Sequence, residues 1–473
     1  MLSCSDDEGN NGGPDPIDDE PTFAVDVGNS TIPYIVISTN GTALRNEPKI
    51  PADMTIYIEK NEVQSNTIGI EYRGSTSFRI SDKKSYGIET WDENGNDIDD
   101  SFFGFPFEED WILQGHVVNS EFNFIIDQTL MYHYLGYELF REMGNYASRT
   151  RFVELELNGE YMGVYVFMEK LKRDGDRIDI SRLNPEDITP DVISGGYILK
   201  IDKTTGGDLN INQPLEYFLD NWDDDARYSE NVSFRSQYDI NRELINFPPF
   251  DPPYHSNQWL ETYFVYEYPK ANEITTEQKE YIQNYIHDFE TALLNDDFSG
   301  PDRTYTDYID LDSFVDFFLL NELVRNVDGY RLSTFLTKDR NAKLKMGPVW
   351  DLNIGYDSGD RIPWDDWVIN YNDHVNQDPW MMPFWWNRLL EDPIFRAAVK
   401  ARWNSLRSGV LSTSSLHNKV DQLSNELKNN GAIERNYDRW SAGFIVNYDQ
   451  RVRDLKDFLE TRSSWMDGEI ATF

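Results

Sequence analysis

Residues 150–171 read TRFVELELNGEYMGVYVFMEKL. Apolar and polar residues alternate on both sides of Asn158-Gly159. An Asn-Gly pair adopts the positive φ angles of a type I′ turn at little cost, so this stretch predicts an antiparallel hairpin. Runs of the same character precede it: TIPYIVIST (31–39), MTIYIEK (54–60), TIGIEYRG (67–74), SYGIETW (85–91) and DWILQG (110–115). All are β-branched or aromatic and bounded by turn residues, which predicts strands. The segment GSTSFRISDKKS between two of them reads as a loop. In FNFIIDQTLMYHYLGYELFREMG (122–144) the apolar residues have helical spacing, and Gly144 is a plausible C-cap. The first third of the chain is therefore β-rich with one helix.

The pattern then changes. GGYILKID (195–202) predicts one more strand, while LDNWDDDARYSE and NFPPFDPPYH mark a long insertion with little regular structure, about 203–260. EITTEQKEYIQNYIHDFETALLND (273–296) is helical, with Thr275 and Gln278 spaced for a capping box. DLDSFVDFFLLNELVRN (310–326) predicts a second helix. LSTFLTKD and KLKMGPVWD then form a short hairpin turning at Arg340-Asn341, and the C-terminal residues read as helices joined by loops. No internal repeat is present. This order predicts an α+β chain with a β-rich N-terminal lobe and a mostly helical C-terminal lobe, the plan of a two-lobed protein kinase-like fold.

The formal charge is -41, and 39% of residues are hydrophobic. The apolar content supports a large core, and the charge argues against passive binding to nucleic acid or an anionic membrane surface. No apolar run approaches the ~20 residues of a membrane span. The one cysteine, Cys4, excludes an internal disulfide. It sits in MLSCSDDEGNNGGPDPIDDEP, where Leu-Ser-Cys resembles the end of a bacterial lipoprotein signal. The acidic residues after it resemble the tether of Bacteroidetes surface lipoproteins. Residues 1–22 are thus expected to be a flexible tether, Cys4 a lipidation site, and the location the cell envelope, as an outer-membrane or surface lipoprotein.

Two acids stand at the ends of the later hairpin, in NVDGYRLSTFLTKDRNAKLKMGPVWDLN (326–353). Phosphoryl transfer needs such a pair: one acid orients the attacking hydroxyl and accepts its proton, and the other holds the metal that bridges the ATP phosphates. A hairpin that ends beside its own start brings them together on separate supports. Asp328 takes the first place and Asp351 the second. In ordinary kinases a metal-binding Asn follows the first acid by five residues, and here that residue is Ser333.

Further blocks accompany the pair. RGSTSF (73–78) with KKSYGIE (83–89), DQTL leading to YELFREMG, RFVELELNGEYMGVYVFMEKLKRDGDRIDI (151–180), GGYILKID and the hairpin stretch occur in an order that resembles the spore coat protein H (CotH) kinase family. The resemblance runs from about Thr31 to the C-terminal helices. It implies a kinase-like domain over 61–473 (N-lobe about 61–171, C-lobe about 261–473), preceded by an N-terminal β segment, 23–60, packed upon it. It also implies ATP with Mg²⁺ or Mn²⁺, and transfer of phosphate to protein Ser or Thr. By match to the family, Asp328 is the catalytic acid and Asp351 a metal ligand. Arg73, Gly74 and Ser75 form the loop over the phosphates. Lys84 is the phosphate-pairing lysine, with Lys83 in reserve, and Glu138 orients it. Met168, Glu169 and Leu171 belong to the hinge against adenine.

Three positions depart from the family. Ser333 replaces Asn, Asn353 replaces an Asp two residues after the metal acid, and Tyr132-His133 replaces Arg-Asn early in the helix. Fewer anionic ligands weaken metal binding. An alternative function follows: a catalytically weak or inactive kinase-like surface protein that binds a protein or glycan partner. The tryptophan-dense stretch 362–390 could stack on sugars or could pack the core. The six histidines show no metal-ligand spacing, and no GxSxG, Walker loop or CxxC occurs.

Overall fold

The computed structural model describes residues 21–204, 215–221, 227–250, 257–356 and 361–473. Cys4 and all but the last residues of the tether lie outside them. Among the described residues no helix is long and apolar enough to cross a membrane.

The first lobe contains β1 (Tyr34–Ser38), β2 (Ile50–Ile58), β3 (Asn61–Arg73), β4 (Ser85–Trp91), β5 (Asp110–Gln114), the two-residue strands β6 (Val118–Asn119) and β7 (Phe124–Ile125), β8 (Thr150–Leu157) and β9 (Glu160–Glu169). Seven of these close into a barrel in the order β1-β2-β3-β4-β5-β9-β8. Closure comes from β1, which runs parallel to β8 from Tyr34↔Glu154 to Ile37↔Leu157. Closing the sheet leaves no unpaired edge. Alternate residues such as Ile35, Ile37, Met54, Ile68, Ile88, Trp111, Val153 and Phe167 fill its interior. The segment expected to pack on the domain, 23–60, instead supplies two of the barrel's own strands. The β8–β9 turn has φ of +52° at Asn158 and +80° at Gly159, as the Asn-Gly pair predicts.

The helix expected over 122–144 is shorter. Its Asp127 carboxylate accepts from the Thr129 and Tyr132 amides, and Leu130 has a φ of +62°. These features turn the chain, so α2 runs only over Tyr132–Glu142 and ends at Gly144, whose φ is +98°. The polar segment read as a loop contains the one-turn helix α1 (Thr76–Ile80).

The second lobe begins with α3 (Pro190–Ile193) and a sheet of β10 (Tyr197–Ile201), β11 (Ser233–Arg235), β12 (Tyr263–Tyr268), β13 (Thr334–Lys338) and β14 (Leu344–Met346), ordered β11-β12-β10-β13-β14. The insertion thus contributes a strand. Around the sheet lie α4 (Thr276–Asn295), α5 (Leu311–Leu323), α6 (Tyr371–His374), α7 (Trp385–Glu391), α8 (Pro393–Arg407), α9 (Thr413–Asn429), α10 (Ala432–Arg439) and α11 (Tyr448–Ile470). The Thr275–Gln278 capping box of α4 is formed in both directions. Trp367, Trp385 and Trp386 are buried, so much of the tryptophan-dense stretch is core.

A contact through α10 holds the lobes in register. Asn436 on α10 accepts from the Val164 amide at 3.0 Å and the Lys83 ammonium at 2.9 Å, and Arg435 binds the buried Glu154 at 2.8 and 2.6 Å. Within the second lobe, Gly195 lets the turn between β13 and β14 lie against the start of β10. A Cβ there would stand 1.9 Å from the Arg340 amide nitrogen and 2.0 Å from the Asp339 carbonyl carbon. Gly195→Ala should therefore destabilise the protein by roughly 1–3 kcal/mol in urea unfolding, the cost of overpacking against backbone. Gly175→Ala, with nothing within 4 Å, should change it little.

Candidate active site

A cavity of about 650 Å³ is lined by the barrel on one side and the second sheet and its loops on the other. The β13–β14 hairpin shapes one wall. Its pairing, Leu336↔Met346 to Lys338↔Leu344, returns the chain to its starting side. Asp328 precedes β13, Asp351 follows β14, and both line the cavity.

Asp351 has a φ of +54° and a ψ of +60°, an uncommon conformation for a residue with a Cβ. Its amide donates to the Tyr137 hydroxyl at 3.1 Å. Burial pushes its carboxyl up to about 6, the charges of Asp328 and Asp202 add to this, and Arg73 and Lys203 oppose it. Asn353 also lines the cavity, and its Oδ1 is buried without a hydrogen-bond partner among the described residues. Ser333, another lining residue, has a φ of +48°.

Asp328 is held differently. Its carboxylate pairs with Arg331 and, at 3.5 Å, with Arg361. Arg331 is itself fixed by donation to the Val327 and Trp380 carbonyls, each at 2.8 Å, and lies 4.2 Å over the Tyr371 ring.

The barrel wall supplies Arg73, Gly74, Ser75 and Thr76, and an apolar recess of Ile88, Ile112 and Val117. Gly74 has a φ of +100°. Arg73 donates to Gln114 at 3.1 Å and lies 5.8 Å over Trp350, the residue before Asp351. Across the cavity, Lys203 donates to the Thr76 hydroxyl at 2.8 Å. Carboxylate and amide oxygens are the donors a hard divalent cation takes. Guanidinium and ammonium groups beside a glycine turn suit phosphate. With the unpartnered Asn353 oxygen among them, these residues fit a nucleotide polyphosphate and its metal.

The family model described as CotH kinase protein matches residues 70–466. The chain belongs to the CotH kinase family. No curated protein matches it. The match spans the end of β3 to α11, so β1 and β2 complete the barrel of this CotH kinase protein from outside the matched region.

Of the residues singled out from the sequence, Arg73, Gly74, Ser75, Asp328, Ser333, Asp351 and Asn353 meet in the cavity. Lys83, Lys84, Glu138, Met168, Glu169 and Leu171 do not line it. The Lys84 ammonium donates to the Phe78 and Ser81 carbonyls at 2.6 and 2.7 Å, because the end of α1 leaves carbonyls that need a donor. Lys83, the reserve candidate, is buried against Val164 and Asn436. Glu138 pairs with Lys419 of α9 at 3.0 Å and therefore orients no cavity lysine. Met168 is buried in β9, Glu169 binds Arg149 and Tyr146, and Leu171 packs in an apolar cluster with Ile178. Lys170 is the residue of that segment that lines the cavity.

The cavity also contains His133, noted in the sequence as a departure from the family, and residues that sequence reasoning missed: Lys49, Tyr137, Lys200, Asp202, Lys203, Arg331 and Arg361. The signal for three of them was present in the Lys-Ile-Asp-Lys end of β10. Residues two apart on a strand share a face, so Lys200 and Asp202 reach the same space. One group of carboxylates among the described residues has metal-like spacing, Glu108, Glu109 and Asp110. Lys172 already occupies it, at 2.5, 2.6 and 3.1 Å.

The Asp351 carboxyl carries a testable cost. Its folded value is raised above that of an unfolded aspartate, so ionisation opposes folding. The penalty is absent below about pH 4, grows as pH rises through about 6, and is complete above that. Asp351→Asn should accordingly stabilise the protein at pH 7.5 by roughly 1–3 kcal/mol, with the gain vanishing near pH 4. Urea unfolding across this range measures it.

Proposed function

We propose that this CotH kinase protein is an atypical Ser/Thr protein kinase that uses ATP with Mg²⁺ or Mn²⁺. The observation that carries this reading is the convergence of Asp328, Asp351 and the unpartnered Asn353 oxygen on one cavity with Arg73, Lys200 and Lys203. Bound ATP and its metal would supply a transferable γ-phosphoryl group with much of its charge neutralised. Asp351 and Asn353 would hold the metal, with Ser333 as a neutral hydroxyl beside them. Arg73, Gly74 and Ser75, closed against the second lobe by the Thr76–Lys203 bond, would cover the phosphates. Asp328 would orient a substrate hydroxyl and accept its proton. In the same reading Cys4 carries a lipid and the acidic tether holds the domain off the envelope surface, an assignment that rests on Leu2-Ser3-Cys4.

One observation favours the second reading, a kinase-like module that binds a surface partner and transfers phosphate poorly. Asp328 is paired with Arg331 and Arg361. A carboxylate held by two guanidinium groups has fewer lone pairs left to accept from a substrate hydroxyl.

Titration with nucleotide separates the readings. Wild-type protein should gain about 2.7 kcal/mol of stability at 100 times the dissociation constant of ATP with Mg²⁺ or Mn²⁺. Asp351→Ala should lose the metal-dependent part of that gain. Asp328→Ala should keep nucleotide binding while transfer to a protein acceptor falls ~10²–10⁴-fold. Binding without transfer in the wild type would support the module, and no nucleotide binding at all would end the kinase reading.

A further inference from the structure

His133 lines the cavity and is 4% exposed. It stands one turn before Tyr137 on α2, and the two rings stack at 5.9 Å. The Tyr137 hydroxyl accepts the Asp351 N–H at 3.1 Å, so its own proton must point elsewhere. The acceptor in that direction is His133 Nδ1, at 3.5 Å. Burial, and then the charge of Arg73, push His133 down to about 3, so the ring is neutral. A neutral imidazole that accepts at Nδ1 carries its proton at Nε2. That Nε2 is buried and has no hydrogen-bond partner among the described residues.

A buried donor without an acceptor is costly and calls for a ligand or a water. The setting favours an anionic oxygen. Arg73, whose charge acts on the imidazole, and Gly74 belong to the same cavity wall. We propose that His133 Nε2–H donates to a phosphate oxygen of the nucleotide polyphosphate. Through Tyr137, this contact forms one row with the backbone of Asp351, so phosphate binding and the placing of the metal-holding residue share a support. The assignment rests on the kinase reading and adds to it a neutral phosphate donor on α2.

The test compares adenosine and ATP, each with and without Mg²⁺, for full-length wild type, His133→Phe and His133→Asn by calorimetry, with thermal unfolding as a control on folding. His133→Phe should weaken ATP about tenfold or more, the loss of a hydrogen bond to a charged group. Adenosine binding should be unchanged, and His133→Asn should recover part of the ATP affinity. In ¹⁵N-histidine spectra of the wild type, the Nε2–H signal of His133 should shift with ATP and stay in place with adenosine. Equal ATP affinity for wild type and His133→Phe overturns the proposal. It would leave Nε2 to a water shared with neighbouring His116, whose Nδ1 is likewise buried and unpartnered. Parallel loss of adenosine and ATP overturns it too, as a general effect on α2. Wild-type protein that binds no nucleotide removes the kinase reading itself, and the proposal with it.

Discussion

The site is organised around one costly group, the Asp351 carboxylate, buried near two other acids. Like charges in a low-dielectric space repel, so Asp202, Asp328 and Asp351 can share a cavity only if cations offset them. Arg73 and Lys203 do this for Asp351, and Arg331 and Arg361 do it for Asp328. A divalent ion would do it more completely. The positive φ of Asp351 and of Ser333 belongs to the same pattern, since backbone strain persists where the surroundings over-determine it.

These cations come from different parts of the fold. Arg73 ends a barrel strand, Lys203 follows the central strand of the second sheet, and Arg331 lies in the loop after α5. The lobes must therefore keep their register for the charges to balance. α2 takes part directly through Tyr137, and α10 clasps the back of the barrel through Asn436 and Arg435. A core that runs from α2 and the outer face of β8 and β9 into α5, α7 and α11 supports both helices.

Much of the architecture was legible in the chain. β-branched and aromatic runs bounded by turn residues located the first barrel strands, and alternation around the Asn-Gly pair located β8, β9 and their turn. The capping residues Thr275 and Gln278 marked the start of α4, where both bonds are made. The limits of such reasoning have physical causes. Phe124 and Ile125 suit a helix by spacing, but a side-chain bonded turn at Asp127 intervenes. β12 went unrecognised because it follows a proline-rich stretch that obscures the pattern.

For the site, sequence by itself determined which residues lie near one another along the chain: the two acids at the ends of a hairpin, and Arg73-Gly74-Ser75 at the end of a strand. It also determined the family, because long blocks in a fixed order carry that information. Which lysines face the cavity was decided only by tertiary structure. Lys84 stands beside a strand that lines the site, yet nearby carbonyls at the end of α1 claim its ammonium. Glu138 has the right spacing on α2, but α9 presents Lys419 to it. A long charged side chain goes to the nearest strong partner, and that partner often comes from a remote part of the chain. Lys200, Lys203, Arg331 and Tyr137 became site residues for the same reason, because the sheet, the loop after α5 and α2 converge on one cavity.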